Sequence, residues 1–147
     1  MRFLHQSVIA AAPEAVFAFH ERPDALARLV PPWERVEVLQ PPASLQPGTR
    51  VVLRMRIGPF PLTWVAEHTL YEKDRLFQDR MVRGPFRRWV HTHRFVPHAA
   101  GTLLRDEVEL DLPLLTFAGA PLVRRRLRKM FEYRHGVTAR AVGVREN

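Results

Sequence analysis

From residue 36 to residue 112 the chain repeats one pattern, an apolar-rich segment of strand length followed by a short cluster of proline, glycine or charged residues. The segments are 36–39, 51–57, 62–71, 76–82, 87–96 and 103–112. The clusters between them, "QPPASLQPGT", "GPFP", "EKDR", "RGPF" and "PHAAGT", suit turns between antiparallel neighbours. Residues 2–9 read as a further strand carrying Phe3, Val8 and Ile9. Pro13 then falls where a first helical position belongs, and Val16, Phe17, Leu26 and Leu29 mark two short helices broken at "ERPD" and ended by Pro31 and Pro32. Residues 120–142 carry the periodicity of one long helix. The fold class expected is therefore α+β: a seven-stranded curved antiparallel sheet wrapped around a long C-terminal helix, with two short helices after the first strand.

Size and composition narrow the function classes. At 147 residues the chain reads as a single domain, 1–147, able to bury roughly 70% of its unfolded surface. No cysteine is present, which excludes disulfides, thiol nucleophiles and zinc–thiolate sites. No apolar run approaches the ~18 residues of a membrane span, and "MRFLHQSVIAAAPEAVF" interrupts any signal-type apolar stretch with His5, Gln6 and Ser7. A cytoplasmic location is expected, with no stable membrane insertion. The net charge of +8 comes almost wholly from arginine, so the placement of the arginines decides whether nucleic acid is a partner.

Centring each hairpin on its turn gives a register and hence two faces. His68 then lies opposite Asp79, Asp79 opposite Trp89, Phe77 opposite His91, His93 opposite Asp106, and His91 opposite Val108. Met55 faces Trp64, and Val51 faces His68. One face collects Val51, Leu53, Met55, Trp64, Ala66, His68, Leu70, Phe77, Asp79, Met81, Trp89, His91, His93, Phe95, Leu104, Asp106 and Val108. The other carries arginines interleaved with Glu67, Glu107 and Glu109. The first face is the interior, and its polar members fall as two cross-strand pairs, His68 with Asp79 and His93 with Asp106, as buried charges require. On the long helix, Val123, Leu127, Met130, Phe131, Val137, Thr138 and Ala141 form one stripe with Arg134 near its centre, whereas "RRRLRK" is mostly a solvated face.

The opening "SVIAAAPEAVFAFHERPDALARLVPP", the "GTRV" strand, the block "LTWVAEHTLYEKDRLFQDRMVRGPFRRWVHTHRF" and "FEYRH" in the last helix resemble the START-like, SRPBCC superfamily, and within it an uncharacterised bacterial ligand-binding branch. That branch is related to the polyketide cyclase/dehydrase and major birch-pollen allergen families. The resemblance implies the helix-grip fold, with a hydrophobic cavity between sheet and helix. It implies no shared catalytic set, so the chemistry has to be read from the site.

The preferred expectation is a binding site for a small hydrophobic molecule with a polar or anionic head. Met55, Trp64, Phe77, Trp89 and Phe95 would supply apolar wall, and Arg134, His91 and His68 would offer donors, with Asp79, His93 and Asp106 completing the polar cluster. An enzyme of the cyclase/dehydratase type, using His68, Asp79 and His91 as a general-base system on a polyketide-like or aromatic substrate, is the alternative. Ser7 and Ser44 are expected far from the cluster, which leaves no nucleophile. A structural polar network, in which the His–Asp pairs and Arg134 satisfy one another, is the reading that competes with both. No metal and no cofactor are expected, because His93 should be occupied by Asp106 and His91 should lie in a row with Leu70, Phe77 and Val108. No nucleic-acid partner is expected either. The sequence leaves the oligomeric state open.

Overall fold

A computed structural model of the chain describes residues 1–113 and 119–143. In chain order the elements are β1 (Arg2–Ile9), α1 (Pro13–Glu21), α2 (Ala25–Leu29), β2 (Val36–Gln40), β3 (Arg50–Ile57), β4 (Phe60–Glu72), β5 (Leu76–Arg83), β6 (Arg88–His98), β7 (Gly101–Asp111) and α3 (Ala120–Val142). The strands form one antiparallel sheet in the order β1-β7-β6-β5-β4-β3-β2. α3 packs chiefly on β1, α1 and α2. This is the helix-grip arrangement expected above, with two short helices after the first strand.

Two turns differ from the symmetric centring used to set the register. β3 and β4 are joined by Gly58 and Pro59 alone, with Ile57 opposite Phe60, so Leu53 rather than Met55 faces Trp64, and Ala66 rather than His68 faces Val51. Gly58 adopts a φ of 59°, the left-handed conformation that lets two residues close a hairpin. Between β5 and β6 the ladder stops at Arg80 and Val90, and a longer connection follows. Asp79 therefore pairs with His91 rather than Trp89, and Phe77 with His93 rather than His91. Both slips are by an even number of residues, so no side chain changed face.

One residue did change face. The β4–β5 ladder shifts between His68 and Leu70, and beyond that bulge Tyr71 turns inward against Phe17 while Leu70 is 49% exposed. Within the sheet's inner face, apolar and polar residues lie in layers. Ile9, Val16, Phe17, Phe77, Phe95 and Leu104 form one core at the α1 end, and Phe3, Trp89, Val108, Leu110, Leu127 and Phe131 form another toward the start of α3. Alternate positions on β6 and β7 place His91, His93 and Asp106 between these two cores.

Candidate functional site

Asp106 is the centre of the polar layer. Its Oδ1 accepts from His91 Nε2 at 2.7 Å and from His93 Nδ1 at 2.8 Å, and its Oδ2 accepts from His135 Nε2 at 2.6 Å. His135 Nδ1 in turn accepts from the Ser7 hydroxyl at 2.6 Å. Burial works against the Asp106 charge, but His93 and the hydrogen bonds from His135, His91 and His93 hold its carboxyl well below the usual carboxylate range. An ionised carboxylate only accepts, so it fixes which nitrogen of each ring carries the proton.

Asp79, on β5 opposite His91, approaches the far side of the same two imidazoles. Its Oδ2 lies 3.6 Å from His93 Nε2 and 3.9 Å from His91 Nδ1. Its pKa is also lowered, because the hydrogen-bonding and charge of His93, with His91 and His68, outweigh burial. His93 is raised above its ordinary value: burial opposes its charge, but Asp106 and Asp79 overcome it. His91 is lowered by burial and by the neighbouring His93. The ring of Phe77 stacks on His93 at 4.0 Å.

Three further histidines surround this core. His20, in the last turn of α1, packs on Phe77 and Phe95 and gives Nδ1–H to Val16 O at 2.8 Å; burial and nearby His93 push its pKa down to about 4. His68 is buried and lies 3.3 Å from Thr49 O through Nδ1, and burial lowers its pKa. His5, on β1 opposite Asp106, sits edge-on to His135 at 4.5 Å and is also lowered by burial. Six of the seven histidines of the chain thus belong to one interior.

Arg134 enters this interior from α3, with its guanidinium carbon 5.6 Å over the Phe131 ring. Its Nε is buried and, among the described residues, has no hydrogen-bond partner. Neither Asp79 nor Asp106 forms an ion pair with it, although both charges, with Glu34, favour its protonated form against burial. The inner-face residues Leu53, Met55, Trp64 and Met81 on β3–β5 remain half-buried, whereas Trp89, Phe95, Leu104 and Val108 on β6 and β7 are covered. Trp64 meets Trp89 edge-on at 5.2 Å. An open depression of about 580 Å³ lies elsewhere, lined by charged Glu14, Lys73 and Arg94 and by apolar Leu76, Phe95 and Val96 among others.

Met55, Trp64, His68, Phe77, Asp79, Trp89, His91, His93, Phe95 and Asp106 therefore share the inner face, as the alternation predicts. The cross-strand positions of His68 opposite Asp79 and of His93 opposite Asp106 hold, and His93 bonds to Asp106, but Asp106 also serves His91 and His135, and the His68 hydrogen bond runs to backbone rather than to Asp79. Ser7 is not remote; β1 pairs with β7, which brings it to His135. Sequence reasoning missed His5, His20 and His135. His135 was visible in principle, because it lies four residues after Phe131 and three before Thr138, both fully buried.

A seven-stranded sheet closed on a long helix around a buried His–Asp–Arg cluster defines a helix-grip protein with a polar interior. The chain belongs to the family described as polyketide cyclase / dehydrase and lipid transport, whose model matches residues 9–132. No curated protein matches the chain. Among solved structures, a protein from Thermus thermophilus superposes with a TM-score of 0.73 at 19% identity over 95% of each chain. The di-domain ARO/CYC BexL gives 0.74 at 15% identity, over 99% of this chain and 51% of that one. Norcoclaurine synthase from Thalictrum flavum, in complex with dopamine and hydroxybenzaldehyde, gives 0.70 at 16% identity, over 96% and 85%. At these identities the likeness is one of fold.

Proposed function

We propose that the chain binds a small, largely apolar molecule with a polar or anionic head, seated between the β3–β5 half of the sheet and α3. The carrying observation is Arg134, whose buried Nε–H lacks a partner among the described residues. A buried donor left unpaired is costly, so an arginine held this way is suited to an incoming acceptor. The half-buried Leu53, Met55, Trp64 and Met81 would supply the apolar wall. The family match and the aromatic compounds bound by norcoclaurine synthase support this class of ligand.

The test is titration of a fluorescent aromatic carboxylate into wild type and Arg134→Met. Met fills similar space without needing a partner, so the variant should fold yet bind at least tenfold more weakly, about 1.4 kcal/mol. Equal affinity in the two folded proteins would remove Arg134 as the anchor. A cyclase-type activity is the second reading, favoured by His93, an imidazole set between two carboxylates that raise its pKa. It calls for turnover of an aromatic or polyketide-like substrate that is lost in His93→Gln.

A further inference from the structure

We propose that Asp79, His91 and His93 form a binding site for a divalent first-row transition metal ion, with Asp106 as the carboxylate that orients both histidines. This goes beyond the ligand-binding reading and does not rest on it. His91 and His93 stand two residues apart on β6 and so share a face, and Asp79 is the cross-strand neighbour of His91. One ligand atom from each of the three, a carboxylate oxygen and two imidazole nitrogens, lies within 4.8 Å of the others.

The case against a metal drawn from the sequence was that Asp106 occupies His93 and that His91 lies in a row with Leu70, Phe77 and Val108. The structure shows that Asp106 occupies only one nitrogen of each ring, Nε2 of His91 and Nδ1 of His93. Those two N–H groups point at one ionised oxygen, which leaves His91 Nδ1 and His93 Nε2 as the lone-pair nitrogens of the neutral rings. Both face Asp79 Oδ2, at 3.9 and 3.6 Å. Three electron-pair donors converging in a mostly apolar interior are stable together only around a proton or a cation.

The spacing suits a cation. Donors sharing an ion through bonds of about 2.0 to 2.2 Å lie roughly 3.0 to 3.5 Å apart, so the two Asp79–histidine separations of 3.6 and 3.9 Å need to close by only a few tenths of an ångström, with the full set of three ligand atoms within 4.8 Å of one another. Asp79 can supply this closure, because both facing imidazole nitrogens stand more than 3.5 Å from its Oδ2 and its side chain is 17% exposed. The two histidines are held more firmly, each backed by Asp106, which His135 anchors through its other oxygen. A carboxylate behind each ligating imidazole is the arrangement that fixes tautomer and ring orientation in metal sites. Two imidazoles and one carboxylate, with positions left open, suit zinc or iron(II) and disfavour calcium and magnesium. The competing occupant is a proton on His93 Nε2, which would make that ring a cationic bridge between Asp79 and Asp106.

The experiment is calorimetric titration of chelator-treated protein with Zn²⁺ at neutral pH, repeated with Co²⁺ while its visible absorption is recorded. Wild type should take up one equivalent, and the cobalt spectrum should show a site built from nitrogen and oxygen donors. Asp79→Asn keeps the shape of the side chain while removing the anionic ligand, and it should weaken Zn²⁺ at least tenfold in a metal-free protein that still unfolds cooperatively. His93→Gln should lose the site altogether, and His98→Ala, at the exposed end of β6, should retain it. If His93→Gln fails to fold, Asp79→Asn alone decides. Absence of a stoichiometric site in wild type, or equal Zn²⁺ affinity in wild type and Asp79→Asn, would overturn the metal site in favour of the proton bridge.

Discussion

Asp106 carries a charge that its histidines have to compensate, and the resulting titration should be visible in stability. His20, His68, His91 and His5 all have folded pKa values below 6.5. The unfolded chain therefore takes up protons that the fold excludes, and stability that is full above about pH 6.5 falls as the pH is lowered toward 4. His93, raised by Asp106 and Asp79, has the opposite sign: its contribution is complete below the unfolded value and is lost as pH rises through the folded one. The depressed Asp79 and Asp106 contribute stability above about 3.8 and lose it only at more acid pH, outside this window. Of the four lowered groups His20 is the one with a shift to about 4, worth on the order of 3 kcal/mol. His20→Phe should therefore lose much less stability between pH 7 and pH 4.5 than wild type in urea denaturation. Parallel losses would show that His20 is not the group excluded from water. The polar character of this interior was legible from strand alternation, but its sharing was not, because turn-centring yields opposite pairs whereas Asp106 also reaches His91 and His135 diagonally and across to α3.

At the scale of the element, the strands and the long helix were legible because each is bounded by proline, glycine or charge. Registers were legible only to within two residues. A hairpin's centre depends on how many residues the turn uses, and Gly58 closes the β3–β4 turn with one fewer pair of strand residues in the loop than a "GPFP" turn implies. The inward turn of Tyr71 in place of Leu70 depends on a bulge, which no alternation pattern announces. Gly101, which opens β7, shows how tightly the β1 end is built. Its φ is 134°, and a Cβ there would stand 2.3 Å from Ile9 O and 2.8 Å from Ala11 N. Both neighbours are backbone, so neither yields by rotating a side chain. Gly101→Ala should cost about 3 kcal/mol or more through strain and clash together. Gly58→Ala, where the added Cβ meets nothing within 4 Å, should cost about 1 kcal/mol. Thermal melts of the two variants check the order, and a Gly101→Ala melt within a degree or two of Gly58→Ala would refute it.

Across the whole molecule, Arg134 apart, the arginines among the described residues lie on the outer side. On the outer sheet face Arg50 and Arg80 meet Glu67, Arg94 and Arg105 meet Glu107, and Arg88 meets Glu109. These are exposed pairs worth about 0 to 1 kcal/mol each, so raising salt from 0.05 to 0.5 M, on the order of the range over which such pairs are screened, should shift stability by no more than about 1 to 2 kcal/mol. A larger loss, followed by urea denaturation, would assign the fold to its surface rather than to its interior. No helix among the described residues is long and apolar enough to cross a membrane. The sheet also has an order of assembly written into it. From β3 to β7 each strand pairs with its successor in the chain, and those ladders can form as local hairpins. β1 alone must wait, because its pairing with β7, from Ile9 opposite Thr102 to Arg2 opposite Glu109, closes a loop of more than ninety residues. During synthesis the first strand made is thus the last to find its place. Until it arrives β7 is a bare, eleven-residue edge open to the β7 of another nascent chain.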